Sequence, residues 1–164
     1  MHQRGSDPFW WGRYVGGVAQ PAPPSVSAQL SVRRGRAAVE FYRAAFGAEE
    51  IYRVGGTDAH EAVVSQFRVG DTTFWVADES PPHRNFSPES LGGGSVRMLL
   101  TVPDPDAAVD RAVAAGATVV TPVAVAHGWR LGRIVDPFGH HWEVGTPLVE
   151  WPPVSGRPRR PASG

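Results

Sequence analysis

Three residues near the end of the chain, His140, His141 and Glu143, carry side chains that commonly transfer protons or bind metal ions. Successive side chains on a β-strand point to opposite faces, so His141 and Glu143 would share one face and His140 would lie on the other. His60 and His127 stand on or near the ends of other predicted strands. We interpret the histidines as surface or turn residues. A metal site built from Glu143 with His140 or His141 is the alternative.

The composition excludes several other kinds of site. The chain has no cysteine, which rules out a disulfide, a thiolate metal site and a cysteine nucleophile. Its 16 basic and 16 acidic residues balance, so we expect no electrostatic binding of nucleic acid or of an anionic membrane. The apolar runs are far shorter than the roughly 20 residues of a membrane span, and the N-terminus lacks the order of a signal peptide. We therefore expect a cytoplasmic protein.

An internal repeat supplies the elements that would position these residues. Leu30–Val32 is followed by Ala37–Glu40, and 70 residues later Leu100–Val102 is followed by Ala107–Asp110. Self-similarity at a fixed spacing indicates that one structural unit occurs twice. Apolar alternation predicts strands, and the spacing of apolar residues before Gly47 and Gly116 predicts a helix in each copy.

Each copy reads as βαβββ, and the two copies together predict an α+β fold. Two copies of this size can curl into a cupped mixed sheet with the helices on its outside, and a concave sheet face is a natural small-molecule cavity. The predicted strands are 26–33, 48–54, 61–69, 72–78, 95–102, 118–125, 128–135 and 140–146, and the helices are 35–46 and 104–115. Repeat one is 26–78, the linker 79–94 and repeat two 95–146, between an aromatic, Pro-rich lead-in, 1–25, and a Pro/Arg-rich disordered tail, 147–164.

Four segments carry a resemblance to a known family. Ala38–Glu49, Ala114–Thr118, Gly128–Arg133 and Asp136–Trp142 follow one another in the order found in the vicinal oxygen chelate superfamily. This chain resembles its glyoxalase, bleomycin-resistance and extradiol dioxygenase proteins over residues 26–146. The aromatic residues of the first segment and the Asp-Pro-Phe-Gly turn serve the core and the turn, so they indicate a fold and not an activity.

The resemblance also implies where a metal would lie. Metal-dependent members hold a divalent ion with His, Gln or Glu from the first and last strands of each repeat, and the corresponding positions here are Ser27, Trp75, Arg97 and Glu143. Of these, Glu143 alone would bind a metal well, because Trp75 offers no lone pair and Arg97 is a permanent cation. We therefore predict no metal at the family position and no cofactor.

The same positions predict a different use of the cavity. Arg97 and Glu143 should face each other, either as a salt bridge or with Arg97 holding an anionic group of a ligand. Aromatic side chains stack flat molecules, so a cavity rich in them suits a hydrophobic or aromatic compound. The predicted ligand-binding residues are Trp75, Arg97, Trp129, Arg130, Trp142 and Glu143.

Three functions remain open from the sequence. The one we favour is a metal-independent binding protein of the glyoxalase/bleomycin-resistance type that sequesters a hydrophobic or aromatic compound such as an antibiotic. The second is a lyase, isomerase or dioxygenase-type enzyme with Glu143 as its acid/base or metal ligand. The third is an interaction module whose cavity is filled by its own side chains, such as Phe9, Trp10 and Trp11. The resemblance also implies a homodimer.

Overall fold

The repeat appears in the structure, a computed structural model that describes residues 23–152, as two βαβββ modules. The predicted lead-in and tail lie mostly outside the described residues. The linker, for which no element was predicted, holds a short 3-10 turn at Pro81–His83. The strands are β1 Gln29–Val32, β2 Glu49–Gly55, β3 Val63–Val69, β4 Thr72–Asp78, β5 Arg97–Thr101, β6 Thr118–Ala126, β7 Trp129–Val135 and β8 His141–Pro147, and the helices are α1 Gly35–Phe46, α2 Pro88–Leu91 and α3 Pro105–Ala114.

The strands form two mixed sheets of four strands each, which confirms the α+β class and the two modules. The first sheet has the order β1-β4-β3-β2 and the second has the order β5-β8-β7-β6. In each sheet the first and last strands of the module pair in parallel, and the other pairs are antiparallel. The eight strands of residues 23–152 therefore divide into two sheets, with β1 and β2 at the edges of the first and β5 and β6 at the edges of the second.

The two long helices begin at caps of different origin. Helix α1 begins at Gly35, whose N–H donates to Oδ1 of Asp78 at 2.8 Å, so the end of β4 caps the helix in place of a residue next to it. It ends at Gly47, which has a φ of 61° that favours glycine. Helix α3 has a local cap, since Oδ1 of Asp104 accepts from the N–H of Ala107 at 3.0 Å. Among residues 23–152, no helix is long and apolar enough to cross a membrane.

A buried carboxylate joins the two modules at the centre of the core. Oδ2 of Asp136 accepts from the hydroxyl of Tyr42 at 2.6 Å and from the indole N–H of Trp142 at 2.9 Å. Oδ1 accepts from the backbone N–H groups of Phe138 and His140, both at 2.9 Å. Burial, reinforced by the charge of Asp136, raises the pKa of Tyr42 well above its usual value. Helix α1 of module one is thus hydrogen-bonded to the β7–β8 turn of module two.

A second polar cluster lies on the helix-covered side of the first sheet, and it predicts a pH-dependent stability. Arg53 binds Glu50 through two hydrogen bonds of 2.6 and 2.8 Å, and Ser65 donates to the same carboxylate at 2.6 Å. The bonds from Arg53, followed by those from Ser65, lower the pKa of Glu50. A carboxyl group whose pKa is lower in the folded state than in the unfolded state stabilises the fold at a pH above its unfolded pKa. This stabilisation is lost as the pH falls through the folded-state pKa.

We expect Glu50→Gln to lower the free energy of unfolding by about 1 kcal/mol at pH 7, because it removes a charge-assisted pair that is only partly exposed. Urea denaturation at pH 7 and at pH 3 measures the effect, and the difference from the wild type should shrink at the lower pH. Glu40→Gln is the control, since Glu40 is exposed and its contact with Arg43 is 3.7 Å long. An equal loss at both pH values would contradict the assignment.

Candidate ligand-binding groove

Among residues 23–152, each sheet has one face covered by a helix and one face without a helix, which we call the open face. Helix α1 packs on β3 and β4, and α3 packs on β6, β7 and β8. On the second sheet Leu100, Trp142 and Val144 point toward the helices and are buried. The alternate residues of the same strands therefore point to the open face, where polar and charged side chains gather.

The open face of the second sheet holds a cavity of about 750 Å³, which we call the charged groove. It is lined by residues 94–99 together with Arg133, His141 and Glu143. The pairing of the strands explains why these side chains meet, since Arg97 lies beside His141, and Arg133 lies beside Glu143. Two guanidinium groups and a histidine thus surround one carboxylate.

Glu143 sits between the two arginines without satisfying both. Nε of Arg97 lies 3.4 Å from Oε1 of Glu143, and Nε of Arg133 lies 4.0 Å from the same oxygen. The second distance is too long for a hydrogen bond. Within residues 23–152, Nε of Arg133 is buried and finds no hydrogen-bond partner. Arg133 thus lines the groove with a side chain that is 33% exposed and that Glu143 does not hold by a hydrogen bond through Nε.

The open face of the first sheet carries aromatic side chains. Trp75 is half-buried there and contacts Tyr52 edge to face, with ring centroids 5.8 Å apart. In the parallel pair β1–β4, Trp75 lies beside Gln29. Ser27 precedes β1, and its hydroxyl lies 3.3 Å from that of Thr73. The two open faces thus differ, since the first presents aromatic and neutral polar groups and the second presents charges.

Comparison with known proteins identifies the family. The model of the glyoxalase/bleomycin resistance protein/dioxygenase superfamily matches residues 25–144. The chain belongs to this superfamily. An uncharacterized protein of Mycobacterium tuberculosis is 40% identical over 131 residues, which are 77% of this chain and 76% of that protein. An uncharacterized protein of Arabidopsis thaliana is 36% identical over 113 residues, covering 64% and 67% of the two chains.

Solved structures share the superfamily fold. The X-ray structure of an Arabidopsis thaliana gene product has a TM-score of 0.58 and 30% identity, and the match covers 75% of this chain and 98% of that one. The fosfomycin resistance protein FosX of Listeria monocytogenes, complexed with Mn(II) and sulfate, has a TM-score of 0.57. Its identity is 16%, over 77% of this chain and 93% of FosX, so this likeness shows the fold alone.

The superfamily's metal positions do not fit a metal ion in this member. Ser27 and Trp75 lie on the first sheet's side, and Arg97 and Glu143 form an ion pair on the second. Trp75 has no lone pair to donate, and the guanidinium of Arg97 would repel a divalent cation. Across residues 23–152, no group of three His, Asp or Glu side chains is arranged to hold an ion. The side chains at these positions therefore suit an ion pair and do not suit a metal site.

Four of the predicted ligand-binding residues lie away from the charged groove of this superfamily member, namely Trp75 on the first sheet and three residues of the second module. Trp142 points into the core, where it is 3% exposed and donates to Asp136. Arg130 lies on the helix side of β7 and binds Asp106 of α3 through two hydrogen bonds of 2.6 Å, which lower the pKa of Asp106. Trp129 packs against Trp151, with centroids 5.6 Å apart, at the other end of β7. These three residues do not line the charged groove, because Trp142 and Arg130 point to the helix face and Trp129 lies too far along the strand.

Among the permanently charged side chains that line the groove, Arg133 is the one that the sequence did not predict. The turn at Asp136–Gly139 fixes the hairpin register, which places Val135 beside His141 and Arg133 beside Glu143. Counting back from that turn would have found it.

Proposed function

We propose that this protein binds a small organic molecule in the charged groove without a metal ion, and holds the molecule without converting it. The observation that carries the proposal is the ion pair between Arg97 and Glu143, which stand at two of the four positions that the resemblance assigns to a metal. A salt bridge at this point fixes both side chains and leaves a groove shaped for an organic ligand. Sequestration of a hydrophobic or aromatic compound, such as an antibiotic, is the function this arrangement supports best.

Apolar side chains beside the charges support an organic ligand. Val96 and Leu99 line the groove and are 68% and 54% exposed. Exposed apolar groups that cluster at a groove typically mark a binding surface. A ligand that covers them would remove their area from water, at about 25 cal/mol for each Å².

A homodimer belongs to the same proposal. The open faces of both sheets carry exposed apolar side chains. On the first sheet these include Tyr52 and Val54, which are 50% and 47% exposed. A second copy that covers these faces would enclose the groove and add Trp75 to its wall. Sedimentation at micromolar concentration tests this, with a dimer as the expected species.

The sequence predicts two alternative functions. Glu143 lines the groove with its side chain 27% exposed, so a substrate can reach a carboxylate that would act as general acid or base. The interaction module, with Phe9, Trp10 and Trp11 in the cavity, rests on residues outside the described range. The Glu143 alternative is therefore the competitor that an experiment on the described residues can separate.

The experiment combines a metal titration with a ligand screen on the full chain. We expect calorimetry with Ni²⁺, Zn²⁺, Mn²⁺ and Fe²⁺ to show no stoichiometric binding, and a panel of aromatic antibiotics to include one that quenches tryptophan fluorescence and is recovered unchanged. Leu99→Ser should weaken that binding, while Val125→Ser, which changes an equally exposed strand residue away from the groove, should not. A consumed compound would instead make the protein an enzyme, and one ion bound per chain would overturn the proposal of a groove without a metal.

A further inference from the structure

A second groove adjoins the charged groove and differs from it in chemistry. It has a volume of about 350 Å³, and we call it the apolar groove because Leu30, Phe86 and Leu91 line it. Gly94, Ser95, Val96 and Met98 line both grooves, so the start of β5 and the residues before it separate the two. A single molecule that crosses this segment could therefore contact both environments.

The charges of the charged groove determine which chemical group of such a molecule would bind there. Arg97 and Arg133 bring two permanent positive charges, and Glu143 is the sole carboxylate among the lining residues. The excess is positive even with His141 neutral. Nε of Arg133 is buried without a hydrogen-bond partner in residues 23–152, and the guanidinium of Arg97 is 56% exposed and reachable from solvent. Arg97 and Arg133 share the single carboxylate of Glu143, so an acidic group on the ligand would balance the second guanidinium charge.

We propose that the ligand is an amphipathic organic anion, with its acidic group against the guanidinium groups of Arg97 and Arg133, where it competes with Glu143, and with its apolar body in the apolar groove. This rests on the proposed function and narrows it, because it excludes neutral planar compounds as the preferred ligands. The apolar body supplies binding through the area it removes from water, and the acidic group supplies the selectivity. Leu91, which is 65% exposed at the rim of the apolar groove, would be covered by the bound molecule.

Decanoate and decanol form a matched pair of probes, since they share a ten-carbon chain and differ in charge. We expect the full-length protein to bind decanoate at least about tenfold more tightly than decanol by calorimetry, which corresponds to about 1.4 kcal/mol. Arg133→Gln should remove most of this preference and leave the decanol affinity unchanged. Arg97→Gln should act in the same direction, and because Arg97 is 56% exposed, it does so without a change in the core.

Two further variants separate the parts of the proposal. Leu91→Ser should weaken decanoate and decanol equally, and Arg111→Gln, which removes an exposed charge on α3, should alter neither. Equal binding of the two probes, weakened by Leu91→Ser, would overturn the anion selectivity and leave the proposed function standing. If neither probe binds, the amphipathic-anion proposal fails, and the aromatic panel then decides separately whether the groove binds any small molecule.

Discussion

Replacing Asp136 with alanine is expected to lower the free energy of unfolding by about 4 kcal/mol or more, because three buried donors and one part-buried donor lose their acceptor together. The hydroxyl of Tyr42 and the indole of Trp142 have no water to replace the carboxylate, since both side chains are buried. A domain of this size is stable by roughly 5–15 kcal/mol, so the loss would be a large part of the total. Urea denaturation followed by tryptophan fluorescence measures it.

Two variants show whether the loss comes from the hydrogen bonds. Tyr42→Phe removes one donor and keeps the ring in the core, so it should cost about 1.5–3 kcal/mol, as expected for a bond to a charged group. Asp110→Ala removes an exposed carboxylate on α3 and should stay within about 0.5 kcal/mol of the wild type. If Asp136→Ala were as stable as Asp110→Ala, the carboxylate would not be what joins the modules.

The repeat made most of the fold predictable. Apolar spacing placed the first helix at 35–46, which are the bounds of α1, and the second at 104–115, one residue wider than α3 at each end. These elements follow from local patterns, because a helix buries one stripe and a strand buries alternate residues. The division of the strands into two sheets was not predictable in this way, since it depends on how α1 packs against α3 across the modules.

The site was predictable in part, for a related reason. Alternation along β8 predicted that His141 and Glu143 share a face, but it does not say which face a helix covers. Trp142 therefore looked like a cavity residue, although its N–H reaches Asp136 in the core. The ion pair of Arg97 and Glu143 followed from the family positions, whereas the unsatisfied Nε of Arg133 is visible only once three strands are in register.

The Glu143→Gln variant distinguishes the remaining functions, because each function predicts a different change in decanoate affinity, turnover or metal binding. If the groove holds an anion between Arg97 and Arg133, removing the carboxylate removes a repulsion and frees both guanidinium groups. At about 4 Å and an effective dielectric of about 20, a unit charge is worth roughly 4 kcal/mol, and the exposure of Arg97 reduces this. We therefore expect decanoate to bind about tenfold more tightly to the variant, and decanol to bind as before.

An enzyme that uses Glu143 as acid or base would lose its turnover in the same variant, and a metal site that includes Glu143 would lose its ion. Neither of these roles tightens the binding of an anion, so an increase in decanoate affinity argues for a groove in which the carboxylate competes with the ligand. Glu61→Gln is the control, because it removes the same charge from an exposed loop and should leave both affinities unchanged. A weaker decanoate affinity in Glu143→Gln would mean that the carboxylate positions the two arginines for the ligand. The proposal that the carboxylate competes with the ligand would then be wrong.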